Sequence, residues 1–218
     1  MDIKQYIIKD VDPVTLQFSV KELKQLFNQL TYSHLPVMNE EVFLGCLSET
    51  DVHCFDADKA LQDYAYALEP FSVSVHSNWL DVLEAFAKNT SNIMPVFDET
   101  GKYLGYFELA DIMSLFHKTP FLRERGSVII VQKEERESSL SEITQIAESN
   151  NARILGVFVS DLVDGQLQTT IKIKTDNLNT VLQTYRRYEY DVVSSHGEDQ
   201  LAENLKERSA YLNKYLNI

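Results

Sequence analysis

The chain has 218 residues, 33 Asp and Glu against 20 Lys and Arg, and a formal net charge of −13. At 44% hydrophobic residues it has enough apolar material for packed cores, and its length suits one or two domains. Residues 1–118 hold eight lysines and no arginine against eighteen carboxylates, net −10. That half therefore lacks the basic stripe a nucleic-acid binder needs, and it would be repelled by an anionic membrane.

No run approaches the ~18 apolar residues of a membrane helix, and the start, MDIKQYIIKD, lacks the basic and apolar regions of a secretory signal. A cytoplasmic location is expected. Cys46 and Cys54 are too few for a disulfide framework, and no CxxC pair accompanies His53-Cys54, so no metal site is expected. Both read as free thiols, buried or half-buried.

In chain order, Asp12-Pro13 leads into a β-like run, VTLQF. SVKELKQLFNQL then places Val20, Leu23, Leu26, Phe27 and Leu30 at the spacing of an amphipathic helix, with Ser19 as N-cap. SHLPVMNEEVFLG follows: a Pro-Val strand, a polar turn and an apolar strand ending in Gly45. Ser48 lies near the N-cap of the next helix and Asp51 in its first turn.

The same order repeats. Glu69-Pro70 leads into FSVSV, and NWLDVLEAFAKN is a helix capped by Ser77 or Asn78. SNIMPVFDETGKYLG is the second hairpin, with Gly101 in its turn. GCLSETD and GYFELAD lie sixty residues apart, with Glu108 where the first copy has Ser48 and Asp111 where it has Asp51. Each copy reads β-α-β-β-α over ~50 residues, a length at which a core of its own is marginal, so the two should bury their sheets against each other.

This repeated pattern resembles the CBS domain, which occurs in tandem pairs called Bateman modules. The resemblance covers about residues 3–118, as units 3–60 and 61–118. It implies an adenosine ligand whose ribose hydroxyls meet Asp51, with Ser48 towards ribose or phosphate, and Asp111 in the same task in the second copy. It also implies an adenine slot beside the Pro-containing strands, walled by His34 and Pro36 and by Met94 and Pro95. Plain helix capping accounts for Ser48 and Asp51 as well, and ordinary core burial for the strand residues. Glu108 would repel a phosphate, and arginine is absent from both copies. Adenosine, AMP or S-adenosylmethionine thus fits better than ATP, as a regulatory ligand and not an essential cofactor.

Pro120 marks a linker over 117–126. GSVIIVQK is a strand, and SSLSEITQIAESNN a helix capped by Ser138 or Ser139 with Glu142 completing a capping box. ARILGVFVSDLVDG and QLQTTIKIKTD are strands joined at Asp164-Gly165. Residues 177–188 form a helix with Asp176 as cap, and YDVVSS is a last strand. The order βαββαβ is the ferredoxin-like topology, here over 119–196.

After a CBS pair it resembles an ACT domain, and the combination is similar to CBS–ACT proteins of the acetoin-utilisation regulatory type. ACT domains often hold an amino acid at a glycine-bearing loop after the first strand. QKEERESS in that place has no glycine. Residues 197–218 read as a C-terminal amphipathic helix.

No catalytic constellation, GxSxG elbow or phosphate-binding glycine loop is present. The chain is expected to be an α/β (α+β) protein without enzymatic activity. It would act as a regulatory module that senses an adenosine-type ligand and passes the signal to a partner protein. The alternative is a ligand-free scaffold that mediates protein–protein interaction. A homodimer is expected in either case, with neither nucleic acid nor membrane as partner.

Overall fold

The computed structural model describes residues 3–196, so the helix expected over 197–218 lies outside the described residues. The chain divides into two compact units, with the boundary in the sequence between Phe116 and His117.

In the first unit, the first copy comprises helix α1 (Val20–Gln29), strands β1 (His34–Asn39) and β2 (Val42–Ser48), and helix α2 (Glu49–Cys54). The second comprises β3 (Val73–Ser74), α3 (Trp79–Asn89), β4 (Ile93–Phe97), β5 (Tyr103–Glu108) and α4 (Leu109–His117). The expected strands before α1 and α3 shrink: VTLQF keeps one parallel bridge, Val14 to Val37, and FSVSV keeps only β3. Unexpectedly, a 3-10 helix, Leu61–Ala67, occupies the connection between copies.

Local chemistry sets the helix starts. Ser19 and Glu22 form a reciprocal capping box at α1. Asn78, and not Ser77, caps α3 by accepting from Leu80 and Asp81.

The two hairpins superpose in register. His34 pairs with Ser48 as Ile93 pairs with Glu108, and Val37 with Gly45 as Val96 with Gly105. Each copy also lends a segment to the other. Ile8 and Tyr106 exchange backbone hydrogen bonds of 2.9 and 3.0 Å, and Cys46 and Glu69 exchange bonds of 2.7 and 2.9 Å.

This exchange explains the paired glycines. Gly45 and Gly105 have φ of 142° and 126°, a region that side chains rarely adopt. A Cβ on Gly45 would lie 3.0 Å from the Glu69 carbonyl oxygen, and one on Gly105 only 2.2 Å from that of Ile8.

Two cores follow the same logic of exchange. One gathers Leu23, Phe27, Leu35, Leu47 and Val52 from the first copy with Ile93 and Tyr106 from the second. The other gathers Val82, Phe86, Met94, Phe107 and Ile112 from the second with Ile3 and Cys46. Neither copy closes a core alone, as their length demands.

The second unit begins with a short helix, α5 (Pro120–Arg123), where the sequence suggested only a linker; Pro120 stands in its first turn, where a missing N–H costs nothing. Then come β6 (Ser127–Glu134), α6 (Leu140–Ser149), β7 (Arg153–Val163), β8 (Gln166–Lys174), α7 (Leu178–Arg187) and β9 (Asp191–His196). The sheet order is β7-β8-β6-β9, antiparallel throughout, which is the ferredoxin-like arrangement. Asp164 and Gly165 both take positive φ in the β7–β8 turn, as their pairing requires.

Ser139 caps α6, but the Glu142 carboxylate accepts from Tyr190 Oη at 2.8 Å. Asn177, not Asp176, caps α7. Ile129, Val131, Ile143, Ile171, Leu182 and Tyr185 form the core between sheet and helices. Phe121 of α5 lies on the sheet at Gly156, where a Cβ would come within 2.4 Å of its ring. Lys172 Nζ donates to the Phe121 carbonyl at 2.6 Å.

Among the described residues, no helix is long and apolar enough to cross a membrane.

Candidate functional site

The hairpin register places His34 beside Ser48 at the end of β1 and β2 that feeds α2. Ser48 is the N-cap of α2 and accepts from the Thr50 N–H at 3.2 Å. The Glu49 N–H donates to the Ser33 carbonyl at 2.8 Å, which ties the helix start to the strand entry. Asp51 sits half-buried in the first turn of α2.

A cavity of about 410 Å³ opens here, lined by Ser33, His34, Ser48, Glu69, Lys88 and Thr90 among others. Lys88 and Asn89 also line an adjoining cavity of about 600 Å³, along α3 and the segment from Pro70 to Ser72.

His34 is 6% exposed. Its Nδ1 lies 2.8 Å from Ser33 Oγ, its Nε2 lies 3.5 Å from Glu69 Oε1, and its ring meets Phe71 edge-on at 5.3 Å. Burial holds the imidazole below the ordinary histidine value; the negative charges of Glu69 and Asp51 oppose that shift without reversing it. The ring is therefore neutral at neutral pH, and its tautomer decides which of these two nitrogens donates.

Ser33 and Asn92, the residues that precede the two central strands, bond each other across the repeat. Ser33 N donates to Asn92 Oδ1 at 2.8 Å, and Asn92 N donates to Ser33 Oγ at 3.0 Å. The His34 ring is thus one hydrogen bond away from the seam between copies.

The equivalent place in the second copy is built differently. Ile93 replaces His34 and Glu108 replaces Ser48. Tyr32 Oη donates to Glu108 Oε1 at 2.6 Å, Tyr106 Oη stands 3.0 Å from Tyr32 Oη, and Tyr106 donates to Asp10. The two tyrosine rings meet edge-on at 5.5 Å. Burial pushes both phenols up, so they remain protonated. Glu108 is thus held by a side chain from the first copy.

Of the residues singled out from sequence, Ser48 and His34 line the first cavity together, and Asp51 follows on the same helix turn. Pro36, Met94 and Pro95 are buried in β1 and β4. Asp111 is half-buried in the first turn of α4, in the copy whose Glu108 is engaged. Reading by motif missed Glu69, Lys88 and Thr90, because they lie outside both glycine motifs and reach the cavity through the exchanged segment and the end of α3. Cys46 is buried, its thiol pushed up by burial, whereas Cys54 is exposed. No group of His, Cys, Asp and Glu able to hold a metal occurs among the described residues.

The repeated hairpins, helix starts and glycines have a counterpart in known proteins. The CBS domain model matches residues 3–54 and again residues 65–118. This stretch is a tandem pair of CBS domains. Among solved structures, the CBS pair is similar to a CBS domain pair/ACT domain protein from Thermotoga maritima, with 22% identity, 53% of this chain and 96% of that chain covered, and a TM-score of 0.47. It is also similar to the CBS domains of a transcriptional regulator from Streptococcus pneumoniae, with 17% identity, coverages of 52% and 98%, and a TM-score of 0.46. A third, CBSX2 in complex with AMP, has 18% identity, coverages of 53% and 95%, and a TM-score of 0.45. No curated protein matches the chain.

Proposed function

We propose that the CBS pair is a non-catalytic sensor of an adenosine-containing ligand. The ligand would bind at the first copy, and the signal would pass to a separate partner protein, with the chain acting as a homodimer. The observation that carries this reading is the cavity that joins Ser48, His34 and Lys88, with Asp51 next in the chain after Thr50, which lines it. The Asp51 carboxylate would accept from the ribose diol, since charge-assisted bonds to a cis diol are strong and directional. The neutral His34 ring, packed on Phe71, would face the base.

Charge narrows the ligand. Glu49 and Glu69 line the cavity against the single ammonium of Lys88. A triphosphate would meet more repulsion than attraction, AMP less of it, and uncharged adenosine or the sulfonium of S-adenosylmethionine none. Occupancy would reach the seam through His34, Ser33 and Asn92 and so bias the relation between the copies.

The scaffold reading has one observation in its favour, confined to the second copy. There Tyr32 of the first copy donates to Glu108, which stands where the first copy has Ser48.

Thermal unfolding of the full chain against adenosine, AMP, ATP and S-adenosylmethionine tests the proposal. A ligand at ~100 times its dissociation constant adds about 2.7 kcal/mol of stability. The expected result is an upward shift with a nucleoside-like ligand, least with ATP, and lost in Asp51→Ala. Absence of a shift with all four at millimolar concentration would move the function to the scaffold.

A further inference from the structure

Glu69 reaches the first cavity from the exchanged segment that precedes β3, and its main chain is held there. Cys46 N donates to the Glu69 carbonyl at 2.7 Å, and Glu69 N donates to the Cys46 carbonyl at 2.9 Å. Gly45 packs so closely against it that a Cβ there would lie 3.0 Å from the Glu69 carbonyl oxygen. Pro70, next in the chain, biases Glu69 to extended backbone. The backbone is thus committed to β2, and the side chain is what Glu69 presents to the cavity.

That side chain ends in an acceptor with capacity to spare. It is 45% exposed, and its Oε1 lies 3.5 Å from His34 Nε2, which is long for a hydrogen bond. No other side chain pairs with it among the described residues. The ring beside it is arranged to suit. A bare Nε2 would set its lone pair against the carboxylate, so the proton stands on Nε2 and Nδ1 accepts from Ser33 Oγ at 2.8 Å. The charge of Asp51 acts on the same ring as that of Glu69. Both carboxylates therefore border His34, one suited to a ribose diol and the other to the base.

His34 and Glu69 together offer an N–H donor next to an anionic acceptor, on a ring packed edge-on to Phe71. One edge of adenine carries the complement, an amino donor at N6 beside an acceptor at N7. Guanine and hypoxanthine put a carbonyl oxygen in place of that amino group, and its lone pairs would face the carboxylate.

Resting on the adenosine-sensor reading, we propose that Glu69 is the residue that selects adenine over other purines at this site, its carboxylate accepting from the exocyclic amino group. Such a bond to a charged acceptor is stronger than one to a neutral group, and a mismatched base leaves the carboxylate facing an acceptor.

The test is calorimetric titration of the full chain with adenosine against inosine, and with AMP against inosine monophosphate. Within each pair a carbonyl oxygen replaces the amino group. Wild type should bind the adenine member about tenfold more tightly, the worth of one bond to a charged group. In Glu69→Gln the ratio should fall to about one, because the amide can donate to the carbonyl as readily as accept from the amino group. Glu49→Gln removes a carboxylate from the same cavity and should leave the ratio as in wild type. A Glu69→Gln chain that keeps the preference overturns the proposal, and so does a wild type that binds both members of a pair equally; adenosine binding in either case leaves the sensor reading intact. A wild type that binds no member of either pair also overturns the proposal, and the sensor reading then stands or falls on S-adenosylmethionine in the thermal series.

Discussion

The two CBS copies share one backbone and differ in what they do with it. In the first, His34 and Ser48 stand side by side and line an open cavity. In the second, Ile93 and Glu108 stand in the same register, and Glu108 is held by Tyr32 from the other copy. A carboxylate in the place of a serine hydroxyl thus serves as an internal acceptor. Tandem duplication lets one copy keep a polar opening while the other spends the same position on holding the pair together.

The largest expected effect tests the shared backbone. Gly105→Ala would push a Cβ to 2.2 Å from the Ile8 carbonyl, whereas Gly45→Ala would reach 3.0 Å from that of Glu69. Both carry the positive-φ penalty, so both destabilise. Chemical denaturation should find Gly105→Ala costing about 3 kcal/mol and Gly45→Ala about half as much. Equal losses would mean that the exchanged segments are equally loose and the comparison of copies fails at its base.

A smaller effect tests the difference at the site. Tyr32→Phe removes the Glu108 bond while keeping the ring, and should cost about 1–2 kcal/mol, because a partly buried carboxylate loses its donor. Ser48→Ala removes a helix cap and should cost about 1 kcal/mol. If Tyr32→Phe proved neutral in the same denaturation series, the closure of the second copy would have no energetic content.

The smallest effect is a pH dependence present in one copy only. His34 in the folded chain titrates below its unfolded value near 6.5, so the unfolded state binds the extra proton first. Its contribution is whole above that unfolded value and is lost as pH falls towards the folded one. Ile93, in the equivalent register of the second copy, does not titrate. Replacing His34 with Gln should therefore flatten the slope of stability against pH just below 6.5, and an unchanged slope in that window would assign the dependence to other groups.

Much of the architecture was legible in residues. The sixty-residue echo of Gly45 and Gly105, the alternation of Pro-Val strands with polar turns, and Asp164-Gly165 all encode local geometry, because backbone sterics and side-chain period act over a few residues. The βαββαβ order of the second unit followed from the same signals. Caps were read less well: Asn177 displaced Asp176, and Glu142 left its expected capping partner for Tyr190 Oη, a choice made by a side chain forty-eight residues away.

For the site, the sequence alone determined which residue types stand at the helix starts, Ser48 with Asp51 and Glu108 with Asp111. It also determined that a carboxylate had replaced a hydroxyl in the second copy. Only the tertiary structure decided what that carboxylate meets. Tyr32 lies seventy-six residues from Glu108, and Glu69 and Lys88 reach the first cavity from outside its motif. Spacing along a chain reports neighbours on one element; it is silent about segments that two marginal cores exchange in order to close.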